Sequence, residues 1–141
     1  MYNGYIEELK IIVCQRIPVC QETDRGRGKG DAYIFSQYFE DKKKINIVVG
    51  DFGIGIPGKA NKYFEEEKLA LKSSEDCIKW ALELNQSSFS KPHNKGKGLN
   101  NIHSFVMSSD SRLRIFSNDA MFDCKKDEEV YAVVPSLVFR P

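Results

Sequence analysis

The sequence predicts an α+β fold in which a β-sheet carries helices on one face. Three observations predict it: aromatic and β-branched runs ahead of Gly50, helical periodicity between Asn61 and Val106, and β-rich stretches after Arg112. At 141 residues and 16.1 kDa the chain is long enough for one domain, spanning 1–141, that buries roughly two thirds of its unfolded surface.

From Tyr5 to Arg16 the apolar residues Ile6, Leu9, Ile12 and Val13 recur at helical spacing with Glu7, Glu8 and Lys10 between them, which predicts a first helix. Pro18 ends or kinks it, and a second helix over Val19 to Asp24 is compatible with proline in a first turn. Gly26-Arg27-Gly28-Lys29-Gly30 then reads as a basic loop. Ala32 to Phe39, the polar run Glu40 to Lys44 and the β-rich Ile45 to Val49 predict an antiparallel hairpin. Asn61 to Lys72 carries Tyr63, Phe64 and Leu71 among charges and predicts a partly exposed helix. Ser73 with Asp76 three residues on predicts a capped start for the helix Cys77 to Leu84.

Ser87 to Lys97 is polar, holds Pro92 and predicts a loop; beyond it, Leu99, Ile102 and Val106 share one face of a helix that begins at Gly98. Arg112 to Ser117, Val130 to Val134 and Leu137 to Phe139 predict strands, with Pro135 between the last two.

Composition narrows the function classes. Charged residues make up 29% and the hydrophobic set 41%, an average globular balance, and a formal net charge of +1 gives no general attraction to nucleic acid or anionic membrane. Cationic clusters are local, at Arg25 to Lys29 and Lys91 to Lys97. Cys14, Cys20, Cys77 and Cys124 form no Cys-x-x-Cys pair, and the start opens no basic and apolar signal segment, so reduced thiols and a cytoplasmic location are expected. The longest apolar runs fall far short of the ~20 residues that span a bilayer. With His93 and His103 far apart and no cysteine cluster, no metal site of His and Cys is expected; the cysteines and Trp80 read as packing residues. The run Arg25 to Lys29 has no stacking aromatics among its charges and reads as a solvated loop.

Two segments carry chemistry. Ile45-Asn46-Ile47-Val48-Val49-Gly50-Asp51-Phe52-Gly53-Ile54-Gly55-Ile56 runs a buried-strand pattern into one acid among glycines. Such an acid, at a sheet edge where Cβ atoms are missing, can accept from an amino group such as adenine presents; the same residues also fit a tight turn with a solvated Asp51. Asp51-Phe52-Gly53 is also the magnesium-binding triplet of protein kinases, but no His-Arg-Asp loop accompanies it.

The second segment, Asn94-Lys95-Gly96-Lys97-Gly98-Leu99-Asn100-Asn101-Ile102, is a cationic loop opening a helix. Free amides, the helix dipole, Lys95 and Lys97 can bind phosphate there, and a solvated loop fits equally well. In this segment the Walker spacing is missing, and Asn101 stands where the third glycine of Gly-x-Gly-x-x-Gly would be.

Taken together, the two segments resemble the GHKL superfamily of ATP-binding domains, which includes gyrase and the histidine kinases. Asp51-Phe52-Gly53-Ile54-Gly55-Ile56 is similar to its Asp-x-Gly-x-Gly box and Gly96-Lys97-Gly98-Leu99 to its second glycine box, and the likeness extends from about Val19 to the C-terminus. The resemblance implies a two-layer α/β sandwich of the histidine-kinase-like (Bergerat) type, with a mixed, mainly antiparallel sheet and helices on one face. It implies that Asp51 binds the adenine amino group, that Gly53, Gly55 and Ile56 shape the pocket, and that Lys95, Gly96, Lys97, Gly98 and Leu99 hold the phosphates of ATP beneath a helical lid at 58–95. Ser111 to Ser117 matches the strand after the second box, and Pro135-Ser136-Leu137 sits where many members have Gly-Thr.

The family's first box departs most. Its Glu, Asn and His fall at Ile17, Gln21 and Arg25. Gln21 keeps a carbonyl oxygen for Mg²⁺ but is one methylene longer, while Ile17 cannot act as a general base, though Glu22 is adjacent. These residues argue against magnesium-dependent hydrolysis and leave nucleotide binding. Two functions follow as expectations: an ATP-binding domain acting on a protein partner as a trans-acting kinase or regulatory ATPase, or a catalytically inactive interaction module of the same fold.

Overall fold

The first apolar stretch forms a strand, not the helix its spacing suggests. In the computed structural model, which describes residues 7–15, 32–51, 53–83 and 97–134, β1 (Glu8–Gln15) lies in the middle of a mixed sheet. It pairs in parallel with β3 (Lys44–Asp51) on one side and with β4 (Arg112–Ser117) on the other. Its apolar residues run together as Ile11-Ile12-Val13-Cys14 instead of alternating: Ile11 and Val13 pack against the core, while Ile12 and Cys14 are half-buried on the other face. Three β-branched residues in succession also favour the extended backbone.

The hairpin is present: β2 (Ala32–Phe39) and β3 are antiparallel, joined by a 3-10 turn at Glu40–Lys42 and by Lys43 in the left-handed region (φ 44°). At the other side of the sheet β4 pairs with β5 (Ala120–Lys125), and β5 with β6 (Glu128–Val133), both antiparallel. Among the described residues the order is therefore β2-β3-β1-β4-β5-β6, with three antiparallel and two parallel pairings.

Among the described residues, three helices stand between β3 and β4: α1 (Gly55–Glu66), α2 (Ser74–Leu82) and α3 (Gly98–Met107). None of the described helices is long and apolar enough to cross a membrane. The helix expected at Asn61 to Lys72 starts six residues earlier and stops at Glu66, because Pro57 is accommodated in a first turn, where no amide proton is needed. Its end is a Schellman motif: Leu69 N–H donates to Phe64 O at 2.7 Å and Lys68 N–H to Glu65 O at 3.1 Å, with Lys68 at φ 54° where glycine is usual. Past this stop, Asn61 holds the chain back against α1. Its Nδ2 donates to Lys72 O at 3.1 Å and its Oδ1 accepts from Lys72 N–H at 2.9 Å.

α2 begins as expected, since Ser73 Oγ accepts from Asp76 N–H at 3.2 Å and Glu75 and Asp76 occupy the positive first turn.

Alternation on β4 and β5 decides where the core sits. Leu113, Ile115, Ala120, Phe122 and Cys124 point to one face and are buried with Ile78 and Leu82 of α2 and Val106 of α3, while Ile11 and Val13 extend the cluster onto β1. Of the expected α3 face, Val106 is fully buried, Leu99 packs against the core and Ile102 is at the rim. α1 packs on α2 through a second cluster, Ala60, Phe64 and Cys77, over which Trp80 stacks on Tyr63 at 5.7 Å and meets Phe64 edge-on at 5.0 Å. On the opposite face of the sheet, Asp123 accepts from Arg112 Nε (2.8 Å) and Nη2 (2.6 Å) and from Arg114 Nε (2.7 Å).

Candidate functional site

β3 ends in Asp51, with Gln15 of β1 beside it on one side and Ala32 of β2 on the other, so the acid stands at the end of adjacent strands. Its Oδ1 accepts from Gly53 N–H at 2.8 Å, which closes the backbone into a tight turn and fixes the carboxylate's orientation. A Cβ on Gly53 would stand 3.0 Å from that same oxygen, so glycine is what lets the turn close.

The turn feeds directly into α1 at Gly55, whose φ of 76° lies in the left-handed region. A Cβ there would lie 2.8 Å from Ser117 Oγ and closer still to Asn118 Oδ1. The space left by this missing side chain is thus filled by the β4–β5 turn. That turn is tied to the helix: Ser117, fully buried at the end of β4, accepts from Ile56 N–H at 2.9 Å. Asn118 is itself left-handed (φ 57°), and its Oδ1 is buried without a hydrogen-bond partner among the described residues. Asp51, Gly53, Gly55 and Ile56 therefore form one continuous strand-turn-helix unit braced on Ser117 and Asn118. Neither of these two was singled out from sequence; an Asn directly after a strand was the available signal.

The second predicted segment opens α3. Lys97 is the N-cap residue and is exposed, like Gly98, beside which a Cβ would meet nothing within 4 Å. Among the described residues no acid occupies the first turn, and the Lys97 side chain makes no capping hydrogen bond. Leu99 faces the other way, into the core, and Asn100 Nδ2 donates to Leu82 O at 3.0 Å, fastening this end of α3 to the end of α2. The remaining predicted residues, Gln21, Lys95 and Gly96, lie outside the described residues, as do Ile17, Glu22, Arg25, Phe52 and His93.

Two other charged features belong to the far end or far face of the sheet. A cleft of about 200 Å³ is lined by Glu8, Asp110, Ser111, Arg112, Lys125 and Lys126. Glu8 and Arg112 begin the strands whose other ends reach the Asp51 side, so this cleft is not the predicted nucleotide site. In the Arg112–Asp123–Arg114 cluster, the hydrogen bonds from Arg112 are the main cause that holds the Asp123 carboxyl below its usual range, with those from Arg114 adding to it. Burial pushes the Cys124 thiol up to about 11, so it is an inert packing group. His103 Nε2 meets Glu129 Oε1 at 2.6 Å, joining α3 to β6. Among the described residues, no three His, Cys, Asp or Glu side chains gather as a group that could hold a metal ion.

Comparison of the chain with protein-family models, with curated proteins and with solved structures found no match.

Proposed function

We propose that this chain is an ATP-binding domain of the histidine-kinase-like type, a two-layer α/β sandwich whose nucleotide site is organised by Asp51. One observation carries the reading: an acid at the end of a strand, bonded to Gly53 N–H, is followed by a helix whose start contains Gly55 and is braced on the end of β4. A carboxylate fixed in this way is preorganised to accept from the exocyclic amino group of a purine. The exposed, uncapped start of α3 at Lys97 and Gly98, together with Lys95, Gly96 and Leu99, supplies amides and positive charge for the phosphates. Bound ATP supplies a transferable phosphoryl group, and a protein partner is its acceptor where transfer occurs.

Gln21 is the candidate magnesium ligand by resemblance, and a neutral amide alone is a poor one. Ile17 at the position of the family's general base favours a second reading, in which the fold binds a protein partner without turnover.

Isothermal titration of the full chain with ATP and ADP, with and without magnesium, tests the proposal. Micromolar to millimolar binding that weakens at least about tenfold in Asp51→Asn supports it, because a lost charged acceptor removes a hydrogen bond worth about 1.5–3 kcal/mol. No heat at millimolar nucleotide rejects it in favour of the interaction module. Binding without phosphate release supports a regulatory domain over an ATPase.

A further inference from the structure

The cleft of about 200 Å³ at the far end of the sheet has a lining that nucleotide binding does not use. Lys10 of β1 is in register with Arg112 of β4, so the same parallel register carried two residues back sets Glu8 beside Asp110. Arg112 is in turn in register with Lys125 of β5, and Lys126 follows in the β5–β6 turn. Acids therefore line the β1 side of the cleft and cations the β5 side, with Ser111, only 5% exposed, contributing to the lining between Asp110 and Arg112.

Most of these charges are already neutralised. Glu8 accepts from Lys44 Nζ at 2.6 Å, Arg112 donates its Nε and Nη2 hydrogens to Asp123, and Lys125 Nζ stands 3.1 Å from Glu128. Asp110 and Lys126 remain. Among the described residues neither side chain has an ion pair or a hydrogen bond, and the two do not pair with each other although they line one cleft. The Ser111 hydroxyl makes no hydrogen bond among the described residues either.

We propose that this cleft binds a small dipolar molecule, one that carries an ammonium and a carboxylate a few bonds apart, as a free α-amino acid does. Two opposite charges that share a cleft without meeting are complementary to a ligand that brings both. An ion of one sign satisfies half of such a lining and is repelled by the other half. A dipolar molecule sets its ammonium on Asp110 and its carboxylate on Lys126 and on the Arg112 Nη1 group that Asp123 leaves over, while the Ser111 hydroxyl donates or accepts. Size argues the same way: about 200 Å³ lies below the roughly 300–1,000 Å³ of pockets for drug-sized ligands, so an amino acid is accommodated and a nucleotide is not. Asp110 and Lys126 are exposed, so water and salt screen both contacts and the dissociation constant is on the order of 1–10 mM at low ionic strength.

The test is a titration of the full chain with glycine to about 50 mM, followed in amide proton–nitrogen correlation spectra, with acetate and methylammonium as probes of one charge each. The expected result is saturable shifts at the amides of Ser111, Arg112 and Lys126 with glycine, and at least about tenfold weaker binding of acetate and of methylammonium. Asp110→Asn and Lys126→Gln should each weaken glycine at least about fivefold. Both side chains are exposed and tie nothing down, so neither change disturbs the fold. No saturable shift by 50 mM overturns the proposal, as do variants that bind glycine like the wild type. Acetate or methylammonium binding as tightly as glycine overturns it too, since the cleft would then select one charge and not the pair. The cleft lies at the opposite end of the sheet from Asp51, so the outcome is separate from that of the ATP titration.

Discussion

Replacing Gly55 with Ala probes whether the glycine after Asp51 serves the fold. Two costs add. A side chain at φ 76° incurs the left-handed penalty, roughly 1–2 kcal/mol. The new Cβ would also lie 2.8 Å from Ser117 Oγ and nearer to Asn118 Oδ1, in a region where Ser117 is fully buried and already accepts from Ile56 N–H. Ser117 cannot withdraw without weakening that bond, worth about 1 kcal/mol. The total is about 2–4 kcal/mol, and for a chain of 141 residues the unfolding midpoint falls by about 6–15 °C. Thermal and urea unfolding followed by circular dichroism measures it. Asn118→Gly removes the closest contacting atom while keeping a residue content at φ 57°, so the double variant should recover the steric part and keep the backbone part. A Gly55→Ala protein within about 0.5 kcal/mol of wild type, or no recovery in the double variant, refutes the packing role.

Asp123→Asn should lose about 1–3 kcal/mol at neutral pH, since Arg112 and Arg114 lose their shared anion. The pH dependence has a definite sign: Asp123 is held below its ordinary value of 3.8, so its contribution is full above about pH 5 and is lost as pH falls through the depressed folded value. Urea titrations along a descending pH series should show wild type and variant converging at the acid end; parallel curves would contradict the ion-pair account. Lys68→Gly should stabilise by roughly 0.5–1 kcal/mol, because Lys68 occupies the left-handed position of a Schellman motif, and an unchanged urea midpoint would show that the strain is absent. Ser73→Ala should destabilise by about 1 kcal/mol through loss of the α2 cap, which Ser73→Asp should largely avoid in the same assay.

The parts of the fold legible in the sequence are those whose signal is local. Ser73 and Asp76 announce the start of α2 because a cap needs only residues three apart, and the α3 start and the β2–β3 hairpin are marked the same way by adjacent polar and apolar runs. β1 was illegible because Leu9, Ile12 and Val13 satisfy helical spacing while the deciding facts, its pairing with Lys44–Asp51 and Arg112–Ser117, lie tens of residues away. β5 escaped detection because Asp123 and Lys125 break its apolar character, although Asp123 is matched by Arg112 and Arg114 across the pair. At the candidate site, Asp51 and its turn were visible, whereas the brace from Ser117 and Asn118 is a contact between segments 61 residues apart.

The two hydrogen bonds between Asn61 and Lys72 make a ring out of the chain between them. Since α2 is anchored at Lys72 from the middle of α1, the placement of one helix against the other does not depend on the length of the stretch 70–71, which follows the Schellman motif at Lys68 and Leu69. Insertions there would enlarge only the ring, at an entropic penalty that grows slowly with size. This corner of the molecule is therefore a natural graft point for a reporter peptide or an affinity tag, with one amide side chain acting as the rivet.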